Sequence, residues 1–136
     1  MSKIDLNALR DGAYKTACEH GFHDQELSNE HCFMLVITEL SEAIEADRKG
    51  KYFKGRIKFE RDFNLYSALV EENVRYKNAF EKHIKDTAED ELADALIRLL
   101  DLYGLRGIDL NEDAFDEEIV SEYSVTYRNK SFIESI

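Results

Sequence analysis

The segment Phe33-Met-Leu-Val-Ile-Thr-Glu-Leu-Ser-Glu-Ala-Ile44 places its apolar residues at helical rather than strand spacing. On a wheel of ~100° per residue, Phe33, Val36, Ile37, Leu40 and Ile44 share one face, which predicts an amphipathic helix with that face in the core. Glu39 and Glu42 lie off this face, yet their wheel neighbours are Cys32, Leu35, Ala43 and Ala46. Glu45, beside Thr38, reads as exposed. A carboxylate set among apolar side chains costs several kcal/mol unless it is paired or holds a cation.

A second segment repeats the arrangement. In Glu91-Leu-Ala-Asp-Ala-Leu-Ile-Arg-Leu-Leu-Asp-Leu102, the residues Leu92, Leu96, Leu99 and Leu100, continued by Tyr103, form the expected core face. Glu91, Asp94, Arg98 and Asp101 gather on the other side, bordered by Ala95, Leu102 and Leu105. If the two helices pack side by side, the two i,i+3 acid pairs can converge on one cavity.

Working outward, the chain has 136 residues, no proline and many strong helix formers, which predicts a single all-α domain over residues 1–136. A first helix is expected from about Asp5 to His20, ended by Gly21. The second is capped by Ser28 or Asn29 and runs to Lys49, stopping at Gly50. Residues 48–61 read as a basic connector, and helical periodicity resumes over 62–83 through Phe63, Tyr66, Leu69, Val70, Val74 and Phe80. Asp86 or Thr87 caps the next helix, which reaches Tyr103 before a glycine stop and restart at Gly104 and Gly107. A last helix is expected over 111–128.

The net charge of −11 argues against polymeric nucleic acid or an anionic membrane as partner, since both demand a basic surface. The N-terminal residues carry no apolar leader-like stretch and no membrane-length apolar run occurs, so a cytoplasmic protein is expected. Cys18 and Cys32 lack metal-type spacing and read as small buried side chains.

Carboxylates without histidine or cysteine favour Mg²⁺, or Mn²⁺, over zinc or iron. With 29 acids in 136 residues, spacing by itself is uninformative, because on the order of six acid-x-x-acid pairs arise by chance. The apolar setting and the matched helices are what single out Glu39, Glu42, Glu91 and Asp94. Mg²⁺ commonly partners substrate phosphates, and the implied chemistry is attack of an activated water on phosphorus.

Glu39-Leu-Ser-Glu42-Ala-Ile-Glu-Ala-Asp-Arg48-Lys-Gly50, followed by Asp90-Glu91-Leu-Ala-Asp94-Ala-Leu-Ile-Arg98-Leu-Leu-Asp101-Leu, resembles the MazG-like all-α nucleoside triphosphate pyrophosphohydrolases. The likeness extends back through Gly21-Phe-His-Asp and forward through Gly107-Ile-Asp-Leu, covering about residues 12–110. It implies an antiparallel four-helix-type bundle that works as a homodimer or homotetramer, here with an extra helical segment between the two acidic helices. It also implies that Glu39, Glu42, Glu91 and Asp94 bind Mg²⁺ and are catalytic, and that a (deoxy)nucleoside triphosphate is hydrolysed to the monophosphate and pyrophosphate. The 48 residues between Glu42 and Glu91 are more than many members have there. Related proteins often carry an Asn and an Arg after a tyrosine near the C-terminus, where this chain has Tyr123-Ser-Val-Thr-Tyr-Arg128-Asn129.

The basic segment from Arg48 to Arg61 begins about two turns beyond Glu42, ~12 Å along the helix, close enough for its cations, Lys51, Lys54 and Arg56 among them, to reach a triphosphate tail. A solvated connector is the plainer alternative. Arg98 either touches phosphate or holds Glu91, Asp94 or Asp101 by a charge-assisted bond. His23-Asp24 suggests an HD-type phosphohydrolase, but His20, His31 and His83 do not complete such a set, and a turn with a capping Asp is favoured. Phe22, Tyr52, Phe53 and Phe59 are candidates to stack on a base, whereas Phe63, Tyr66 and Phe80 read as core. Competing functions are a non-catalytic helical nucleotide-binding or protein-interaction module and a phosphoribosyl-ATP pyrophosphohydrolase-like enzyme.

Overall fold

A computed structural model describes residues 3–111, in which all regular structure is helical. In chain order the helices are α1 (Leu6–Glu19), α2 (Asn29–Arg48), α3 (Arg56–Asn64), α4 (Glu72–His83) and α5 (Ala88–Arg106). The helix expected over 111–128 and the Tyr123–Asn129 stretch lie outside the described residues. None of the described helices is long and apolar enough to cross a membrane.

Local chemistry accounts for the helix starts. Asp5 accepts from the Ala8 N–H at 3.1 Å, and Ser28 accepts from the His31 N–H at 3.1 Å. Thr87 Oγ1 accepts from the Asp90 N–H at 3.2 Å. Each satisfies an amide that the first helical turn leaves open, worth about 1 kcal/mol. Helix α5 runs past Gly104 and ends at Gly107, whose φ of 67° suits a residue without Cβ.

The described residues fall into two compact units. One comprises 3–24 with 100–111. Here Gly104 meets α1 so closely that a Cβ built on it would stand 2.6 Å from the Cβ of Tyr14. Asn7 Nδ2 donates to Asp109 at 3.0 Å, the Leu110 N–H donates to Asn7 Oδ1 at 2.9 Å, and Arg10 Nη1 donates to the Ile108 carbonyl at 2.7 Å. His23 Nε2 lies 2.7 Å from Asp101 Oδ1 with both side chains largely buried, so His23 forms part of a structural pairing. Cys18, expected buried, is exposed, while Cys32 is buried.

The other unit comprises 25–99. Its middle departs from the sequence reading: 62–83 is not one helix but the end of α3, a turn and α4. Leu65 is extended and Tyr66 takes a φ of 59°, a conformation costly for an aromatic residue, which breaks the helix. Arg75 stabilises the turn, donating to the carbonyls of Val70 (2.9 Å) and Phe63 (2.8 Å), with its guanidinium 4.9 Å from the Phe63 ring centre. Phe59, Phe63, Tyr76, Phe80 and His83 then pack ring to ring between α3 and α4. Phe59 is thereby a packing residue, and Tyr66, expected in the core, is exposed. Asp62 fastens the base of this hairpin to Lys82 (2.8 Å), His83 (2.6 Å) and Arg61 (3.1 Å), which hold its carboxyl well below the usual carboxylate range.

The burial of α2 and α5 departs from the wheel expectation, although Leu100 is buried as expected and Val36 and Tyr103 are half-buried. Phe33, Ile37, Leu40 and Ile44 are about half-exposed, as are Leu92 and Leu96, with Leu99 somewhat less. The buried positions are Cys32, Ala43 and Ala46 on α2 and Ala88, Ala95 and Leu100 on α5, together with Glu39 and Glu91. Glu39 and Glu91 thus lie inward with the small residues, while most of the large apolar side chains of these two helices do not.

Candidate metal centre

Glu39, Glu91 and Asp94 each bring one carboxylate oxygen to within 4.8 Å of the other two. Glu91 is 6% exposed and Glu39 is 9% exposed. Arg98 Nε donates to Glu39 Oε1 at 3.1 Å, so this arginine holds a carboxylate of the cluster. Glu39 is a partner beyond the expected Glu91, Asp94 and Asp101; Arg98 also lies near enough to Asp94 to favour its charged form, and Asp101 pairs with His23.

Crowding shows in the titration of the acids. Burial first, then repulsion from Glu42 and Asp90, a hydrogen bond with Glu42 and repulsion from Asp94, push Glu91 up to about 7. Asp94 is also raised, by burial and by the neighbouring Asp90, Glu39 and Glu42, against the opposing pull of Arg98. Carboxylates pushed toward protonation are carboxylates short of positive charge, and a bound cation reverses that logic.

Glu42 has a different place from the other three. It is exposed, lies against Glu91, and lines a hollow of about 230 Å³ with Glu45, Lys49, Lys51, Asp86 and Glu91. Glu45 is exposed as expected and pairs with Lys49 at 3.1 Å.

The basic segment is also resolved into distinct roles. Two hydrogen bonds pin residues 51–53 to the start of α5: the Ala88 N–H donates to the Lys51 carbonyl at 2.9 Å, and the Phe53 N–H donates to the Glu89 carboxylate at 3.0 Å. The connector is therefore tethered, and from Arg56 onward it is helical. Lys51 and Lys54 line a second, larger hollow; Arg56 instead pairs with Glu60 along α3 at 2.5 Å. Lys58 of the same basic segment lines that hollow too, as does Lys85, which lies outside the segment. Tyr52 is tied to Asp47 by its hydroxyl.

No family model, curated protein or solved structure matches this chain. What the site can hold follows from its donors. Mg²⁺ takes oxygens at ~2.0–2.1 Å in an octahedron, which sets neighbouring ligands ~3 Å apart and opposite ones ~4 Å apart. Three oxygens within 4.8 Å of one another, all from hard carboxylates and with no histidine or cysteine among the described residues of the cluster, stand no more than slightly wider than that octahedron, and a bound ion would draw them closer. The donor set suits Mg²⁺ or Mn²⁺.

Proposed function

We propose that this protein is a Mg²⁺-dependent nucleoside triphosphate pyrophosphohydrolase of the MazG-like, four-helix type. The convergence of Glu39, Glu91 and Asp94 on one point is the observation that carries the reading. The resemblance of the two acidic segments supplies the reaction. Glu39, Glu91 and Asp94 would hold the metal, which when bound supplies charge neutralisation at the phosphates and lowers the pKa of its water. Arg98 keeps Glu39 oriented.

Glu42 is the acid left to act on substrate, since it stands beside Glu91 at the edge of the hollow. It accepts a proton from the attacking water, whose oxygen bonds to the α-phosphorus. The bond from that phosphorus to the bridging oxygen breaks, and the electron pair leaves with pyrophosphate.

The half-exposed stripes Phe33-Ile37-Leu40-Ile44 and Leu92-Leu96-Leu99 favour a homo-oligomer, because a contiguous apolar surface of this kind is ordinarily covered. The test is pyrophosphate release from a panel of ribo- and deoxyribonucleoside triphosphates with Mg²⁺. At least one should turn over, and Glu42→Ala with Asp94→Ala should lower kcat by roughly 100-fold or more. No turnover of any nucleotide, or full activity in that double variant, overturns the proposal.

A further inference from the structure

The larger hollow lies in the same unit as the acids and encloses about 630 Å³, within the ~300–1,000 Å³ typical of small-ligand sites. It shares Lys49, Lys51 and Asp86 with the smaller hollow that contains Glu42 and Glu91, so the two adjoin along a common wall. Its walls come from the 49–58 and 81–87 segments, which the Lys51–Ala88 backbone bond holds together.

The charge on these walls runs against that of the chain. Lys51, Lys54, Lys58 and Lys85 have no side-chain partner among the described residues, and the facing acids are Glu81 and Asp86. Lys49 and Lys82 add further positive charge while paired to Glu45 and Asp62. In a protein of net charge −11, four unneutralised ammonium groups around one hollow are a local reversal of sign. Holding like charges together costs free energy that a bound polyanion relieves. The hollow is too small for a nucleic-acid duplex, and several separated ammonium groups match the spread charge of linked phosphates better than one carboxylate.

We propose that this lysine-lined hollow is a polyphosphate site, which receives the outer two phosphates of the substrate and holds pyrophosphate after cleavage. The assignment of its occupant as the substrate's tail rests on the pyrophosphohydrolase reading. With the two hollows side by side, the scissile bond would lie toward Glu42 and Glu91 and the departing phosphates toward Lys51, Lys54, Lys58 and Lys85. The inserted segment between the acidic helices thereby supplies the leaving-group subsite.

The test is calorimetric titration of the full-length, metal-free protein with sodium tripolyphosphate, pyrophosphate and orthophosphate. Tripolyphosphate and pyrophosphate should bind saturably and at least about tenfold more tightly than orthophosphate, and Lys51→Gln/Lys54→Gln/Lys58→Gln should weaken both by about tenfold or more. The corresponding triple arginine variant should retain binding, which separates loss of charge from loss of fold. Glu91→Gln/Asp94→Asn should leave it in place. Absence of saturable binding, equal affinity for orthophosphate, or unchanged binding in the glutamine variant overturns the site. Lysine-dependent polyphosphate binding without turnover of any nucleotide keeps the site and removes the hydrolase. Turnover with wild-type KM in the glutamine variant does the reverse.

Discussion

Replacing Glu91 by glutamine should stabilise the metal-free protein while abolishing its response to Mg²⁺. In the folded chain the Glu91 carboxyl is pushed up to about 7 from an ordinary 4.5, chiefly by burial and by Glu42. The folded state therefore binds a proton that the unfolded chain has released, and stability falls as pH rises through that window. Below pH 4.5 both states are protonated and wild type and Glu91→Gln should be alike. Above pH 7 wild type carries the full penalty, about 3 kcal/mol at 1.36 kcal/mol per pH unit. That corresponds to a melting temperature higher by about 10 °C in the variant. Urea unfolding in EDTA at pH 4.5 and pH 8 measures the gap, and repeating it at pH 8 with Mg²⁺ should raise wild type but not Glu91→Gln. A variant less stable than wild type at pH 8 without metal, or a gap independent of pH, would refute the reasoning.

Three further outcomes follow from the packing. Gly104→Ala brings a Cβ to 2.6 Å from that of Tyr14, and should cost about 1–3 kcal/mol despite alanine's better helix propensity; a thermal melt unchanged from wild type would contradict the close approach. Asp62→Asn removes a carboxylate held below its ordinary 3.8, so the variant should melt lower than wild type at pH 7. That difference should close as the pH falls through the acid range, and circular dichroism melts across pH 2–7 test it. Leu96→Glu, on the exposed stripe of α5, should convert an oligomer to a smaller species in sedimentation velocity, whereas a sedimentation coefficient identical to wild type would remove that stripe from the interface.

Helix positions were largely legible because their signals are local. Ser28 and Thr87 cap where a side-chain oxygen before an apolar period should cap, and Glu91 and Asp94, one i,i+3 pair, come together on one face of α5. Three things were not local. Which face of α2 turns inward depends on its partner: Ala43, Ala46 and Ala95 are buried beside the acids, while larger apolar residues were expected to win. Tyr66 breaks a helical pattern that hydrophobic spacing alone continues, because the turn is held by Arg75 from further along the chain. Lys85 joins Lys51 and Lys54 only through the fold, across a separation no short motif spans.

The hydrogen bond between the Lys51 carbonyl and the Ala88 N–H also bears on how such a protein could be assembled. It makes neighbours of the two ends of the intervening hairpin, so that hairpin behaves as a cassette hung from a single graft point. Shortening it to a tight linker changes loop-closure entropy by only about 2 kcal/mol, in the favourable direction. Glu39, Glu42, Glu91 and Asp94 all lie outside the cassette. Exchanging it would leave the acids in register and replace Lys54, Lys58 and Lys85, so that on the proposed function the acid cluster and the lysine-lined hollow are separable parts.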